Sequence, residues 1–451
     1  MFDLVIRGGK AVVPGVGVLR ADIGITGGVV AALADRIDGP GRATFEADGL
    51  YVMPGVVDPH VHLGNSEPFE AEAVSETRAA LLGGVTSIGV FLRRRDSYLP
   101  HLPGYRQAIE QGSYVDVAFH LQIFTDEQRC EIPEYARAPW GVRSFKMYLA
   151  GIPGIVEPVD TGFLLAAFRT IAGLGADAVA CVHAEDDGLV RRASEDLRWA
   201  SPEGGTLADW ERAHPAEAEV LAINSAAYLA SLASAHLYVV HVSSRQGVEA
   251  VREWRRRGVR LTAETTSPYL GLSSDCPNGF LAKLVPPVRS AEHRSALWQG
   301  LEDGSLQTIG TDNTSRTRAT KQPEAGLHGA RPGYAGLGTH LPVLLHHGFH
   351  QRGIGLEVLA DWASRAPART FGLYPKKGTI AIGSDADLVI VDLDRGREVR
   401  AEQLGGLSDF SPFEGQHLRG WPVATIKSGV IAARDGEVLV PPGTGRYVPR
   451  P

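Results

Sequence analysis

Cysteine is scarce in this sequence of 451 residues, which contains only Cys130, Cys181 and Cys276. An odd number this small argues against the disulfide framework that holds many small secreted proteins together. The sequence therefore favours a reducing compartment, and the cytoplasm is the expected location.

Long apolar runs are also lacking. Nowhere do about 18 consecutive apolar residues occur, which is the length needed to cross a bilayer. The amino terminus, Met1 to Leu4, passes at once into strand-like sequence. We therefore predict neither a signal peptide nor a membrane-spanning segment.

Positive charge is not in excess either, since 45 lysines and arginines face 52 aspartates and glutamates, giving a net charge of −7. The basic cluster Arg255-Arg256-Arg257 has the character of a solvated helix end rather than of a basic stripe interleaved with aromatic residues. Nucleic acid is consequently an unlikely partner, and a small-molecule substrate is favoured.

What the sequence does contain is a His-x-His pair, His60 and His62, directly after the apolar run of residues 51–57. Side chains on an extended segment alternate, so these two imidazoles point to the same side and can bind one metal ion. The uninterrupted apolar run is typical of a parallel strand buried on both faces. Two surface histidines would be the alternative interpretation.

Other polar residues of the kind that bind metals follow later strand-like runs. They are Lys146, His183, His241 and Asp312. Each has an ordinary explanation on its own, as a surface lysine, a core histidine or a helix N-cap. Because such residues recur at the carboxyl ends of successive runs, where α/β barrels carry out their chemistry, we interpret them as one site.

Strand-like stretches near residues 86–91, 115–123 and 261–265 fill the gaps between these runs, and helical stretches such as 71–82 and 216–233 separate strands. The pattern predicts eight βα units and hence a closed TIM-type (β/α)8 barrel of the α/β class. Both chain ends, about 2–52 and 378–448, instead show short alternating runs with Gly-Gly and Asp-Gly turns, which indicates hairpins.

These motifs together resemble those of the amidohydrolase superfamily, closest to its cyclic amidohydrolases of the hydantoinase and dihydropyrimidinase group. The resemblance runs nearly end to end, through residues 3–9, 54–62 and 378–389. It implies that the chain ends build a small β-sandwich, residues 1–52 plus 376–451, beside a hydrolase barrel, residues 53–375. It also implies a homotetramer or homodimer, with the proline-rich tail docked on its own or another subunit.

The resemblance further implies two divalent metal ions, with zinc the expected element. Their ligands would be His60, His62, Lys146, His183, His241 and Asp312. Four neutral imidazoles cannot neutralise two dications, so Lys146 is expected to be carbamylated by carbon dioxide into an anionic bridge. Asp312 would accept a proton from the attacking water and return it to the departing ring nitrogen.

Several positions depart from the family pattern. The arginine that dihydroorotases carry after the His-x-His pair is absent, because His62 is followed by Leu63-Gly64-Asn65. The hydantoinase tyrosine that steadies the oxyanion is replaced by Gly151. Tyr148, which lies nearby, is our candidate for that catalytic role, with packing against the core as the alternative.

Further departures follow the last barrel strand. Asn313 occupies the position of a usual histidine, while Arg316 and Arg318 either reach an acidic substrate or lie in a solvated loop. Residues 327–331 have the character of an insertion near the mouth of the pocket.

Three functions are compatible with these residues. The favoured one is a binuclear metal-dependent hydrolase that opens the C–N bond of a cyclic amide, imide or hydantoin-type ring. An allantoinase- or dihydroorotase-like ureide hydrolase is the first alternative. The second is a non-catalytic dihydropyrimidinase homologue, which the complete set of ligands disfavours.

Overall fold

The computed structural model of the chain describes residues 1–39, 41–200 and 205–450. Its strands in chain order are β1 (Leu4–Arg7), β2 (Lys10–Val13), β3 (Gly17–Arg20), β4 (Asp22–Thr26), β5 (Val29–Ala34), β6 (Ala43–Glu46), β7 (Tyr51–Pro54), β8 (Val56–His62), β9 (Val85–Leu92), β10 (Asp116–Gln122), β11 (Ser144–Tyr148), β12 (Val179–His183), β13 (Leu237–Val239), β14 (Leu261–Thr266), β15 (Thr308–Gly310), β16 (Asn313–Thr314), β17 (Leu388–Glu398), β18 (His417–Lys427), β19 (Val430–Arg434) and β20 (Glu437–Val438).

The α-helices are α1 (Phe69–Leu82), α2 (Leu102–Gly112), α3 (Asp126–Ala136), α4 (Thr161–Ala172), α5 (Asp187–Ala200), α6 (Leu207–Ala213), α7 (Ala216–Ala233), α8 (Arg245–Arg256), α9 (Ser267–Gly271), α10 (Ala291–Glu302), α11 (Arg318–Lys321), α12 (Gly326–Gly329), α13 (His340–Leu344), α14 (Leu356–Ala360) and α15 (Ala366–Thr370). Two π-helical turns flank α14, at Leu345–His350 and Asp361–Arg365. None of the helices in the described ranges is both long and apolar enough to cross a membrane.

Strands β8 to β15 form one parallel sheet in sequential order, with at least one helix between each strand and the next. The sheet closes because β16, which directly follows β15, pairs in parallel with β8. Every residue of β9, β10, β11 and β12 is buried, since inward side chains fill the barrel and outward ones pack beneath the helices. The predicted (β/α)8 barrel is confirmed.

The two chain ends form a pair of sheets beside the barrel, in the orders β5-β4-β1-β6 and β20-β19-β18-β17-β7-β2-β3. Strands β7 and β17, from opposite ends of the chain, pair antiparallel. Ile6, Val52, Leu388 and Ile426 belong to one shared apolar core. The predicted β-sandwich is confirmed; its boundaries, 1–52 plus 376–451 against 53–375, remain a prediction.

The proline-rich tail docks on its own barrel. Val117 donates its N–H to the Arg446 carbonyl, and Val448 donates to the Val117 carbonyl, both at 2.8 Å. Arg450 is buried and donates to Ser144 Oγ at 2.8 Å and to the Phe119 carbonyl. The tail therefore adds to the amino-terminal end of β10, away from the strand ends where the predicted ligands lie.

A buried ionic cluster joins the sandwich to the barrel. Lys377 contacts Asp116, Asp385 and Asp387, and Lys427 contacts Asp116 at 3.0 Å and Asp387 at 3.1 Å. Burial alone would raise the pKa of Asp387, but the two lysines lower it to about 2. The three carboxylates lie close enough together to hold a cation. The ammonium groups of the two lysines supply the positive charge there.

We predict that Lys377→Met destabilises the fold by about 3–5 kcal/mol, because removing one partner leaves buried carboxylates without full compensation. Chemical denaturation measures this change in the free energy of unfolding. The control is Arg419→Met, which breaks the exposed 3.0 Å pair with Asp394 and should cost less than about 1 kcal/mol. Equal losses in the two variants would contradict the prediction.

Candidate metal centre and active site

The structure brings all six predicted ligands to the carboxyl end of the barrel. His60 and His62 lie on β8, Lys146 on β11 and His183 at the end of β12, while His241 and Asp312 follow β13 and β15. His62, Lys146, His183, His241 and Asp312 line one cavity, and His60 lies against Lys146 and Asp312. Parallel strands that end at the same rim explain why residues so distant in sequence meet.

Three donor atoms converge at β8. His60 Nε2 lies 3.1 Å and His62 Nε2 lies 3.3 Å from Asp312 Oδ1, and these atoms all lie within 4.8 Å of one another. Lys146 Nζ is 2.9 Å from His60 Nε2. Burial alone would raise the pKa of Asp312, but His60 and His62 lower it to about 2, so the carboxylate is ionised.

A second pair of donors lies beside the first. His183 Nδ1 is 3.0 Å from His241 Nε2, and the rings of His60 and His241 stack with centroids 5.5 Å apart. Burial lowers the pKa of both His60 and His241, and the charge of the nearby Lys146 lowers each further. His60 and His241 are therefore neutral, the form that binds borderline metals such as zinc. Two adjacent donor groups that share one cavity with Lys146 fit a binuclear metal site.

Two of these ligands lie on strained backbone. His241 and Asp312 adopt left-handed conformations, with φ of 41° and 56°, although neither is glycine. Asp58 holds the turn at Asp312 by accepting from the N–H of Thr311 at 3.1 Å and from its hydroxyl at 2.6 Å. Glu219 holds the turn at His241 by accepting from the N–H groups of Ser243 and Ser244. Strain of this kind, about 1–3 kcal/mol per residue, concentrates at functional sites.

Two carboxylates that contact the predicted histidine ligands were not predicted from the sequence. Glu264 on β14 accepts from His60 Nδ1 at 2.7 Å and from the Tyr238 hydroxyl at 2.8 Å. Glu185 contacts His183 Nε2 at 2.9 Å. Such contacts fix which ring nitrogen faces the metal. The sequence does contain an indication of each carboxylate. Glu264 is an acidic residue inside the apolar run 261–265, and Glu185 forms a His-x-Glu pair with His183 at the end of β12.

Tyr148 lies at the wall of the cavity, two residues after Lys146 on the same face of β11. Its ring stacks on His183 with centroids 5.3 Å apart, and its hydroxyl has no hydrogen-bond partner among the described residues. Gly151 lies farther out, where its N–H donates to Asp187 Oδ1 at 3.0 Å. The structure thus places Tyr148 at the cavity wall, beside the predicted ligand His183.

The residues after β15 divide into two groups. Arg316 is buried and lines the cavity, whereas Arg318 is exposed on α11. Asn313 turns away from the ligands, since its amide nitrogen lies 3.3 Å from Glu76 Oε2 and its amide oxygen accepts from the Gly336 N–H at 2.7 Å. Residues 327–331 line the outer mouth, as expected. The cavity has an empty volume of about 560 Å³ and is open to solvent.

Comparison with known proteins places this site in a family. The model of the amidohydrolase family matches residues 51–432, which include all six predicted ligands. The chain belongs to the amidohydrolase family. An L-hydantoinase from Paenarthrobacter aurescens is 35% identical over 465 residues, covering 100% of this chain and 98% of the relative. An allantoinase from Rubrobacter xylanophilus is 34% identical, covering 99% of this chain and 97% of the relative.

Among solved structures, an L-hydantoinase (dihydropyrimidinase) from Arthrobacter aurescens superposes with a TM-score of 0.92 at 33% identity, covering 100% of both chains. Membership of the amidohydrolase family and the two converging donor groups together support binuclear metal binding. The similarity to these cyclic-amide hydrolases extends through the sandwich as well as the barrel.

We predict that Glu264→Gln lowers metal affinity or turnover by about 10- to 100-fold, because the carboxylate orients His60. Glutamine keeps the size and shape of the glutamate, so the loss should come from the changed hydrogen-bond partner of His60 Nδ1 rather than from packing. Metal titration followed by elemental analysis measures the effect. Thr262→Val, on the same strand but bonded to His236, is the control, and equal behaviour of both variants would refute a specific role for Glu264.

Proposed function

We propose that this chain is a binuclear metal-dependent hydrolase that opens the C–N bond of a cyclic amide, imide or hydantoin-type ring. The observation that carries the proposal is the convergence of four imidazoles, Lys146 and Asp312 at one cavity. The relatives named hydantoinase support the choice of a ring substrate.

In this proposal His60, His62, His183 and His241 would hold two divalent ions, with zinc the expected element, and carbamylated Lys146 would supply the anionic ligand that the ions need. When bound, the ions lower the pKa of water and polarise a carbonyl group. Asp312 takes the proton of the attacking water and passes it to the ring nitrogen as the C–N bond breaks, serving as base and then as acid. The 3.1 Å and 3.3 Å contacts of its carboxylate with His60 and His62 support this role, because they hold the carboxylate among the predicted ligands.

The test combines metal analysis with a panel of rings. Purified protein should contain close to two divalent ions per chain and should open hydantoins, dihydropyrimidines or cyclic imides. Opening of allantoin alone would favour the ureide hydrolase, the alternative that the allantoinase relative supports. Protein without metal and without activity on every ring would favour a non-catalytic homologue.

Lys146→Ala should lose most bound metal and activity, because an anion is needed between two dications. Added short-chain carboxylic acids should restore part of both by occupying the space of the missing bridge. Lys376→Ala, at an exposed lysine, is the control. A fully metallated and active Lys146→Ala protein would show that the bridge is unnecessary.

Asp312→Asn should reduce turnover by about 100- to 10,000-fold, the range typical of a positioned general acid or base, while at least one metal ion stays bound. The histidines and Lys146 supply the remaining ligands, so loss of all metal is not expected. Turnover near that of the wild type would mean that another residue carries the proton.

Tyr148→Phe decides how the oxyanion is stabilised. We expect a small effect, because the Tyr148 ring stacks on His183 and the metal ions would be the main electrophile that polarises the carbonyl. A loss of about 100-fold or more with metals intact is the size expected for a removed oxyanion donor. That result would make Tyr148 a catalytic residue.

We further propose a cytoplasmic homotetramer or homodimer. The three cysteines are free, which agrees with a reducing compartment. Leu221, Tyr228 and Leu232 project from α7 about half exposed, at spacings that place them along one side of the helix. Such an apolar stripe supports packing between barrels side by side.

A further inference from the structure

We infer that the ring substrate bears a carboxylate on its substituent, and that Arg93 and Arg316 bind this carboxylate inside the cavity. The inference rests on the proposed ring-opening activity and names the class of ring. Both arginines line the same cavity as Lys146 and Asp312, so one small molecule can contact the ligands and the guanidinium groups together.

Neither arginine has an anionic partner among the described residues. Arg93, at the end of β9, donates to the neutral amide oxygen of Asn65 at 3.1 Å. Arg316 is only 5% exposed, and its Nε donates to the Pro332 carbonyl at 2.6 Å. Arg316 is thus a buried guanidinium without an ion-pair partner, which is costly, so its position is suited to an anionic ligand, while Arg93 is exposed at the same cavity.

The acidic side chains closest to the two arginines have other partners. Asp312 is the one carboxylate among the described residues that line this cavity, and it contacts His60 and His62. Glu72, which lies close to Arg316, accepts N–H groups from residues 64–67 of the loop after β8. Glu72 favours the charged form of Arg316 from a distance, but no acidic side chain in the described part of the chain forms an ion pair with either arginine.

Three arginines around the outer mouth, in contrast, do have acidic partners. Arg94 pairs with Asp96 at 2.8 Å, Arg95 with Glu157 at 2.8 Å and Arg191 with Asp187 at 3.0 Å, all around the outer mouth. The chain as a whole has a net charge of −7, so carboxylates are plentiful. A positive cavity wall in an acidic protein attracts anionic substrates and orients them.

The guanidinium groups of Arg93 and Arg316 repel each other, so an anion bound by both would relieve this repulsion. Burial lowers the pKa of Arg316, and repulsion from Arg331 and Arg93 lowers it further. Lys283, buried beneath residues 327–330, donates to the carbonyls of Leu327 and Ala330. The ammonium group of Lys283 therefore holds the loop that lines the outer mouth, and it adds to the positive potential there.

Carboxylate fits this wall better than a larger anion. A planar guanidinium matches a planar carboxylate through paired hydrogen bonds. The cavity is open to solvent, so a substituent on the ring can extend towards the two guanidinium groups. The site therefore favours rings that yield an acidic amino-acid derivative on opening.

The experiment compares two substrates that differ only in charge, hydantoin-5-acetic acid and hydantoin-5-acetamide. Metal-loaded enzyme should open the acid with a kcat/KM at least about 10-fold higher, the discrimination expected of a charge-assisted hydrogen bond. Arg93→Gln and Arg316→Gln should each reduce kcat/KM for the acid by about 10- to 100-fold, mainly through KM. The amide should change less than about 3-fold, since it forms no ion pair.

Arg95→Gln is the matched control, because Arg95 lies two residues from Arg93 and is paired with Glu157; both substrates should behave as with wild type. Arg316→Lys tests whether positive charge restores acid binding where Arg316→Gln has altered the loop. Equal kcat/KM for acid and amide in the wild type, or equal losses on both in the variants, would overturn the inference.

Binding separates this inference from the ring-opening proposal. Calorimetric titration of metal-loaded Asp312→Asn protein with each compound reports affinity without rapid turnover. Tighter binding of the acid that depends on Arg93 and Arg316, with no ring opened by the wild type, would preserve the carboxylate site and refute the ring-opening function. Equal affinities for acid and amide would refute the carboxylate site even if both rings were opened.

Discussion

The pairing of β16 with β8 is the interaction on which the site depends. Asn313 lies opposite Val61 and Thr314 opposite His62, and this pairing closes the barrel. The chain reaches β16 through the left-handed turn at Asp312, so closure also directs the carboxylate at His60 and His62. Without this short pairing, the ends of β8 and β15 would separate, and the histidines would lose the oxygen donor between them.

Close approach at this seam restricts the sequence. A side chain at Gly310 would begin 3.0 Å from His60 Cβ and 3.2 Å from the Glu264 carboxylate, which is too tight for most packed contacts. The glycine therefore lets β15 run against the polar centre of the barrel. Asp58, fully buried below it, anchors Thr311 from the neighbouring strand. The seam is held by backbone and carboxylate contacts rather than by apolar packing.

Much of the fold and the ligand positions could be predicted because they follow local rules. Strand ends carrying His60, His183 and Asp312 can be recognised from periodicity, and helix α7 begins and ends where the apolar pattern does. Glu264 could not be assigned in the same way, because its partner His60 lies 204 positions away in the sequence. That Arg316 is buried and Arg318 exposed likewise depends on the course of the loop after β15, which only tertiary contacts determine.

The sandwich has a consequence for synthesis of the chain. Strands β1 to β7 leave the ribosome first, yet about a third of their shared core comes from residues near β17 and β18. β7 stays unpaired on one edge until almost the whole chain has been made, because its partner there is β17. Open strand edges readily pair with other chains. The length of the intervening barrel therefore sets how long the nascent amino-terminal strands remain exposed to such pairing.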